Sequence, residues 1–385
     1  MQERIISADG HIDLPCLPTD LFTEYAPARL RGRVPHVVER DGERVWITGD
    51  GTYMGHVGGV GPNGSPMSKH TSPRIERMAE KGLYEDQARG VMRTTIPELR
   101  AKDMEGDGVV GEVIYGILLV ASSLKDPEAA AVVVRAYNDF LAEFCNKLPG
   151  RFAGIGVLAG GPEEAAAEVR RCAELGLKGA ELSLEIGMVP LWHKQWEPIW
   201  QAGAETRIPI HLHSIGAPLD PRWLDVGARI LRYVAATKTT AFQIGMLEVL
   251  SEVIWSAALE RYPDLRVVLG ESGIGWLPYA LERMDAEADQ FKDLGLKLKP
   301  SEYWRRQMAA SFQDDQFGID HAETIGVETL MWGADFPHPD GTWPDSKEFI
   351  DRLFAGVSEA TRRKILFENA ARLYDFPALE SDARG

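Results

Sequence analysis

The 385-residue chain contains only three cysteines, Cys16, Cys145 and Cys172, and no Cys-x-x-Cys pair. This scarcity argues against a disulfide framework, which needs several cysteine pairs, and against a thiolate zinc site, which needs closely spaced cysteines. The sequence also lacks any run of about 18 apolar residues, the length that a membrane-spanning helix needs. Its first residues carry no apolar signal-peptide core. We therefore expect a cytoplasmic protein with reduced cysteines and no membrane partner.

Positive charge is scarce as well. Lys and Arg number 42 against 58 Asp and Glu, so the formal net charge is −16. No Lys- or Arg-rich run offsets this excess, which argues against a nucleic-acid partner. No GxGxxG follows the first predicted strand, and GxxxxGK[ST] is absent, so a phosphate-cradling loop is not indicated. These absences favour a small-molecule substrate.

Short apolar runs alternate with amphipathic helical segments along most of the chain. This alternation, at the spacing of βα units, predicts a parallel sheet flanked by helices. Eight such strands favour a closed (β/α)8 barrel, that is an α/β TIM barrel, over an open sheet. We predict one barrel domain over residues 1–385, with strands at 4–9, 109–115, 151–158, 178–184, 207–213, 265–271, 306–312 and 329–335.

Residues 14–100 interrupt this pattern directly after the first strand. The segment is rich in proline and glycine, and we interpret it as irregular, with helical pieces such as 75–90. A segment this long inside a compact enzyme usually covers the active site. The sequence therefore predicts a long cap or lid insertion at 14–100.

Several predicted strands end in residues that commonly bind metals. Asp9 and His11 follow the first strand, His211 and His213 end the fifth, Glu271 ends the sixth and Asp335 ends the eighth. The carboxyl ends of the strands form the working face of a TIM barrel. Imidazole and carboxylate groups without thiolates suit zinc, manganese or iron. We therefore predict a divalent metal site at this rim, with one ion favoured over two.

The sequence resembles the amidohydrolase-related family of the amidohydrolase superfamily, from about residue 4 to about residue 375. That family includes metal-dependent hydrolases and the non-oxidative decarboxylases of aminocarboxymuconate semialdehyde, resorcylate and carboxyvanillate type. The resemblance implies that Asp9, His11, His213 and Asp335 are metal ligands. It is carried by SADGHID (7–13), KGAELS (178–183), IPIHLHS (208–214), PDLRVVLGESGIGW (263–276), WGADFPHPD (332–340) and ILFENAARLY (365–374).

One position departs from the decarboxylase pattern. The decarboxylases usually carry histidine at the end of the sixth strand, where this chain has Glu271. The departure weakens a decarboxylase assignment but leaves a general acid or base in position. His211, Glu185 and Glu271 are candidates for a second metal or for contacts that orient the first ligands.

Three reactions fit this set of residues. The main hypothesis is hydrolysis of a small amide, ester or lactone by a metal-bound water, with Asp335 or Glu271 accepting the proton. The alternatives are non-oxidative decarboxylation, with Asp335 protonating carbon, and oxygen activation by a binuclear non-heme iron site. The sequence does not identify substrate-binding residues. The resemblance also suggests a homodimer, because dimerisation is common in that family.

Overall fold

A computed structural model describes residues 3–61, 64, 73–117, 120–121, 123–185, 187–214 and 228–377. Eight parallel strands form one sheet in the order β1-β5-β6-β7-β8-β9-β10-β11. Each of the eight overlaps one of the strands predicted from the sequence, so the TIM-barrel prediction is confirmed. The barrel strands are β1 (Ile5–Ser7), β5 (Val109–Ile114), β6 (Phe152–Leu158), β7 (Gly179–Leu182), β8 (Ile210–His213), β9 (Val267–Gly270), β10 (Met308–Phe312) and β11 (Leu330–Trp332).

The barrel closes between its first and last strands. The Ala8 N–H donates to the Trp332 carbonyl at 2.8 Å, and the His11 N–H donates to the Phe336 carbonyl at 2.7 Å. These bonds continue past the ends of β1 and β11, so the segments carrying His11 and Asp335 are tied to each other. The closure thus brings the segment that carries His11 and the segment that carries Asp335 together at one rim.

Helices surround the sheet. Several begin with proline in their first turn, where its missing N–H costs no helical hydrogen bond. They are α1 (Leu21–Tyr25), α2 (Pro73–Glu80), α3 (Leu83–Ala88), α4 (Pro97–Gly106), α5 (Pro127–Lys147), α6 (Pro162–Glu174), α7 (Glu197–Thr206), α8 (Ala228–Ala241), α9 (Met246–Trp255), α10 (Ala258–Arg261), α11 (Leu277–Glu287), α12 (Pro300–Gln307), α13 (Gln316–Asp320), α14 (Ala322–Ile325), α15 (Ser346–Leu353), α16 (Glu359–Arg363) and α17 (Asn369–Leu373). Among the described residues, none is long and apolar enough to cross a bilayer.

The segment between β1 and β5 is more ordered than its composition indicates. It contains a three-stranded antiparallel sheet of β2 (His36–Arg40), β3 (Glu43–Ile47) and β4 (Tyr53–His56). The turn between β2 and β3 is Asp41-Gly42, and both residues have positive φ, 55° and 81°. Asp-Gly between two strands is a strong hairpin signal. The prediction that this segment is irregular was therefore wrong over 36–56.

The predicted cap contacts the loop that follows β11. Met78 of α2 and Leu83 of α3 pack with Phe336 and Trp343 in one buried apolar cluster. An Arg77–Asp345 ion pair joins the same two segments. These contacts place α2 and α3 against the loop that carries the predicted site. That residues 14–100 act as a lid, and that residues 1–385 form one domain, stay predictions.

Candidate metal and active site

Four predicted ligands meet at the carboxyl ends of the strands. Asp9, His11, His213 and Asp335 are all fully buried. His11 Nε2 lies 3.3 Å from Asp9 Oδ1 and 3.2 Å from Asp335 Oδ1. His213 Nε2 lies 3.5 Å from Asp9 Oδ1. The structure therefore brings together side chains from the first, fifth and eighth barrel strands.

The spacing of these atoms fits ligands around one ion. Metal–ligand bonds of about 2.1 Å at angles of roughly 90–110° separate neighbouring ligand atoms by roughly 3.0–3.4 Å. His11 Nε2 and both Asp335 carboxylate oxygens are buried without a hydrogen-bond partner, although they lie close together. Buried polar atoms are normally satisfied. These atoms are satisfied if a cation lies between them, so the residues fit a metal ion.

The imidazole of His213 is oriented for this role by a second contact. Its Nδ1 donates to the Ser214 carbonyl at 2.8 Å, so Nε2 is the ring nitrogen that faces Asp9. Metal-binding histidines commonly fix their tautomer in this way. Asp9 is held in turn by hydrogen bonds to Oδ2 from the Ser311 hydroxyl at 2.9 Å and the Glu271 N–H at 3.1 Å.

His338 is a further member of the cluster that the sequence analysis did not single out. Its Nδ1 lies 3.0 Å from Asp335 Oδ1, and its Nε2 lies 2.8 Å from Asp13 Oδ2. His338, His11 and Asp335 form a second potential metal-binding group that shares His11 with the group of Asp9, His11 and His213. The signal was present in WGADFPHPD, where His338 follows Asp335 by three residues.

Charge interactions inside the cluster are strong. Burial favours neutral carboxyl groups, but His11 and His213 outweigh it and lower the pKa of Asp9. Burial and His338 lower the pKa of His11, whereas Asp335 and Asp9 raise it, with a net rise to about 9. Burial also opposes ionisation of Asp335, yet His338 and His11 lower its pKa. Both aspartates are therefore carboxylates, the form that binds a cation.

Glu271 lies beside the cluster in a different electrostatic setting. Burial, followed by the charges of Asp335, Asp340 and Asp9, raises the pKa of Glu271 well above its usual value. Its Oε2 is 3.9 Å from His213 Nδ1. Glu271 and Asp335 both adopt positive φ, 46° and 56°. Left-handed backbone is uncommon for such residues and clusters at functional sites, because it costs energy that the surrounding structure must offset.

His211 does not join the ligand cluster. Its Nδ1 lies 2.8 Å from the Tyr115 hydroxyl, and its ring stacks on Tyr374 with centroids 5.8 Å apart. Burial, assisted by His213, lowers the pKa of His211 to about 3, so the ring is neutral. The Tyr115 ring contacts the His213 ring edge-on at 4.6 Å. His211 is thus placed to support His213 through Tyr115.

The structure separates the two glutamates near the end of β7. Glu185 is exposed and belongs to no potential metal-binding group of the described residues. The structure therefore does not bring Glu185 to a second metal position. Glu181 is buried instead, with Oε2 unpartnered, and burial raises its pKa against the lowering effects of His213 and His11.

A buried ion pair supports the cluster from behind. Arg100 donates to both carboxylate oxygens of Glu112 at 2.7 Å. The same guanidinium donates to the His11 carbonyl at 2.9 Å and lies 3.4 Å from the Phe336 carbonyl. Gly10 makes room for this pair, because a Cβ there would lie 2.1 Å from Glu112 Oε1. A glutamate inside the apolar strand at 109–114 was the sequence signal for a buried cation.

A family model described as "Amidohydrolase" matches residues 106–376 of the sequence. The chain belongs to this amidohydrolase family. A gamma-resorcylate decarboxylase of Polaromonas sp. is 29% identical over 334 residues, covering 78% of this chain and 96% of the relative. A dihydroxybenzoic acid decarboxylase structure from Polaromonas sp., with bound manganese and 2-nitroresorcinol, matches at TM-score 0.59 and 25% identity, covering 79% of this chain and 94% of that one.

The wider fold of the amidohydrolase chain is also matched. An amidohydrolase structure from Mycobacterium avium subsp. paratuberculosis has a TM-score of 0.72 and 19% identity, covering 97% of this chain and 100% of that chain. That likeness supports the barrel alone. The expected resemblance to the amidohydrolase-related family is confirmed.

Proposed function

We propose that this amidohydrolase-family protein is a metal-dependent decarboxylase of a small hydroxylated aromatic carboxylic acid. The observation that carries the proposal is the combination of the buried Asp9–His11–His213–Asp335 cluster with relatives that remove carbon dioxide from gamma-resorcylate. The similarity to the Polaromonas decarboxylase extends over 334 residues, 78% of this chain.

The main prediction from the sequence, hydrolysis of an amide, ester or lactone, is wrong. The similar proteins and solved structures include decarboxylases of gamma-resorcylate, 5-carboxyvanillate and 2,6-dihydroxybenzoate, and these favour the decarboxylase alternative. The hydrolase prediction was preferred because Glu271 occupies the position where decarboxylases usually have histidine, which weakened the decarboxylase assignment. Because burial and the neighbouring carboxylates raise the pKa of Glu271, they favour its protonated form, and the departure from histidine does not exclude decarboxylation.

The prediction of a divalent metal ion is confirmed at that coarse level. A related decarboxylase structure holds manganese, and this chain presents buried groups of histidine and aspartate that could hold a metal ion. We propose Asp9, His11, His213 and Asp335 as the residues that hold the ion, with His338 beside them. When bound, a divalent cation supplies positive charge that attracts the substrate carboxylate and an adjacent oxygen.

The residues of the chain then carry the proton. Loss of carbon dioxide requires a proton at the ring carbon that bears the carboxylate. Asp335 is ionised at rest, so in the proposed step it first takes a proton from His338 and passes it to this carbon, and the carbon–carbon bond then breaks. Its electron pair restores the ring as carbon dioxide leaves. A general acid must lie within hydrogen-bond reach of its acceptor, and Asp335 lies at the centre of the ligand cluster.

His338 is positioned to return a proton to Asp335 after each turnover. Its two ring nitrogens face the carboxylates of Asp335 and Asp13, an arrangement that suits the doubly protonated ring. Burial lowers the pKa of His338, but Asp335 and Asp13 outweigh it and raise the pKa well above 6.5. Asp13 thereby fixes the direction of the ring.

The proposal is tested by incubating the manganese-loaded protein with 2,6-dihydroxybenzoate and related hydroxybenzoates and measuring carbon dioxide release. We expect release that stops on chelation and returns with manganese. Asp335→Asn should reduce the rate at least a hundredfold, because general acid catalysis contributes about 10²–10⁴-fold. Circular dichroism should remain close to that of the parent, and the rates are compared at saturating manganese because Asp335 is also a proposed metal ligand.

A surface variant provides the matched control. Asp320→Asn makes the same chemical change on α13, away from the cluster, and should leave the rate unchanged. The proposal fails if no hydroxybenzoate releases carbon dioxide from metal-loaded protein, or if Asp335→Asn retains the parental rate.

The remaining expectations about function stay predictions. The binuclear iron alternative would be tested by oxygen uptake, but Glu185, one of its proposed ligands, is exposed. The choice between zinc, manganese and iron, one ion or two, the homodimer, the cytoplasmic location and the absence of nucleic-acid and membrane partners likewise stay predictions.

A further inference from the structure

A cavity of about 690 Å³ opens at the end of the barrel opposite the metal cluster. Its floor includes Val267 and Met308, the first residues of β9 and β10, whereas the ligand cluster follows the carboxyl ends of the strands. The cavity volume is within the range of sites that bind small molecules, about 300–1,000 Å³. This space is therefore separate from the candidate active site.

Five arginines line this cavity: Arg207, Arg266, Arg305, Arg306 and Arg372. Such a concentration is unexpected in a chain whose formal net charge is −16. Within the described part of the chain, none of the five lies within 4.0 Å of a carboxylate in an ion pair, unlike the arginines that pair elsewhere on the surface. Arginines elsewhere on the surface of this protein commonly face a carboxylate, as Arg261 faces Glu197 at 2.6 Å.

The acidic residues around the cavity neutralise the arginines only in part. Three carboxylates, Asp264, Glu328 and Asp375, also line it. Glu328 pairs with Lys364 at 2.7 Å, and Asp375 pairs with Lys178 at 3.5 Å. Neither lysine belongs to the lining. The lining therefore carries an excess of positive charge, and two of its three negative charges are already paired with other cations.

Neutral acceptors hold several of the guanidinium groups in place. Arg266 donates to the Pro263 carbonyl at 3.0 Å, Arg305 to the Thr324 carbonyl at 2.5 Å and Arg372 to the Glu328 carbonyl at 3.1 Å. Each of these bonds uses only part of the planar fork of N–H donors. The groups are thus partly ordered while donors remain for a ligand, which reduces the entropy lost on binding.

We propose that this cavity binds a small organic anion that carries at least two anionic groups, such as carboxylates or phosphates. Guanidinium groups recognise both through paired, charge-assisted hydrogen bonds. The floor adds apolar surface from Val267, Met308 and Met331, which suits a short carbon skeleton between the anionic groups. The ligand would bind independently of the metal centre.

The test uses isothermal titration of the full-length, manganese-loaded protein with propane-1,3-disulfonate in chloride buffer of constant ionic strength. Sulfonates coordinate divalent metals far more weakly than carboxylates or phosphates, so this probe does not strip the metal. We expect one saturable binding event. In the Arg207→Gln/Arg305→Gln double variant, affinity should fall at least tenfold, or about 1.4 kcal/mol.

The matched control is Arg283→Gln/Arg363→Gln. Both arginines are exposed, lie outside the cavity and pair with helical glutamates, and their loss changes the net charge by the same amount. The control should bind the probe within twofold of the parent. Arg372→Gln gives a second, independent variant if the Arg207/Arg305 protein does not fold.

Three results would overturn the proposal. They are no binding by the parent at millimolar probe, full binding by folded variants of the cavity arginines, and an equal loss of affinity in the cavity and control variants. The last result would show a response to overall charge instead of a site. Circular dichroism identifies folded variants before titration.

Discussion

Replacing Arg100 separates the stabilising role of the buried ion pair from its role in placing the metal ligands. Arg100 is fully buried and holds Glu112 through two bonds of 2.7 Å. Removing one partner of a buried pair typically costs about 3–5 kcal/mol, because the other charge is left uncompensated. Arg100→Met should therefore lower the free energy of unfolding by about that amount.

A second variant removes the stranded charge. In Arg100→Met/Glu112→Leu, well-packed apolar residues replace both partners, a change that is often close to neutral for the pair itself. The guanidinium bonds to the His11 and Thr94 carbonyls, at 2.9 and 3.2 Å, are still lost. At about 1 kcal/mol for each bond, the double variant should be about 2 kcal/mol less stable than the parent.

The catalytic activities of these variants should not follow their stabilities. The Arg100 contacts with the His11 and Phe336 carbonyls tie together the backbones that carry His11 and Asp335. Without them, the ligand cluster loses a support that neither methionine nor leucine supplies. Carbon dioxide release should therefore fall at least tenfold in the double variant, although much of its stability returns. Urea unfolding and initial rates at saturating manganese measure the two effects separately.

The pH dependence of the single variant provides an independent check. Burial already raises the pKa of Glu112 against the lowering effect of Arg100, and removing Arg100 raises it further. A raised folded-state pKa means that the folded protein binds more protons, so stability falls as pH rises above the unfolded value near 4.5. The deficit of Arg100→Met relative to the parent should be smallest near pH 4.5 and should grow toward neutral pH.

Two outcomes would refute this reasoning. A loss of less than about 1 kcal/mol in Arg100→Met would mean that the buried carboxylate is compensated by another group. Parental activity in the double variant would mean that the pair stabilises the barrel but does not position the ligands.

Two further predictions concern stability. Gly10→Ala should lower the free energy of unfolding by about 1–3 kcal/mol, because the new Cβ would collide with Glu112. The control is Gly106→Ala, whose Cβ meets no atom within 4 Å and which should be close to neutral. Urea unfolding compares the two variants. Burial raises the pKa of Asp107 from 3.8 to about 7, so its contribution to the free energy of unfolding should fall by up to about 4 kcal/mol between those pH values. Asp107→Asn keeps an acceptor for the Ser346 N–H and should show a flatter pH profile, and an unchanged profile would contradict this assignment.

The barrel was predictable because its strands are short apolar runs separated by amphipathic helices. The apolar run at 329–335 and the polar strand end at Asp335 were sufficient to place β11. Helices were less predictable: the apolar spacing over 243–263 indicates one helix, but the chain breaks at Ala257, which has φ 58° between α9 and α10. Apolar periodicity continues through such a break, so the pattern gives no signal of it.

Depth inside the barrel limited the site prediction. His211 and His213 share a face of β8, as alternation requires. Two residues along a strand are nevertheless separated by roughly 6.6 Å, so only His213 reaches the ligand cluster. His211 remains one layer below, against Tyr115 and Tyr374. Strand periodicity predicts the direction of a side chain but not which layer of the barrel it occupies.

His338 could not be placed for a different reason. It lies beyond the strand, where side-chain direction depends on the loop, and the loop turns at Asp335 with φ 56°. The His338 N–H donates to the Asp335 carbonyl at 2.8 Å, which turns the chain back toward the barrel. A non-glycine residue with positive φ is not apparent from one sequence, so the return of His338 to Asp335 and Asp13 required the structure.

The balance of buried charge explains why a cation belongs at this rim. Asp9, Asp335, Glu181 and Glu271 are all buried, and within the described residues the ion pairs of these carboxylates are with histidines, not with arginine or lysine. Burying an uncompensated carboxylate costs several kcal/mol, and neighbouring carboxylates increase that cost. Arg100, the nearest buried guanidinium, is used by Glu112 and by backbone carbonyls. A divalent ion would supply the missing positive charge, so metal binding should also stabilise the closed barrel through linkage.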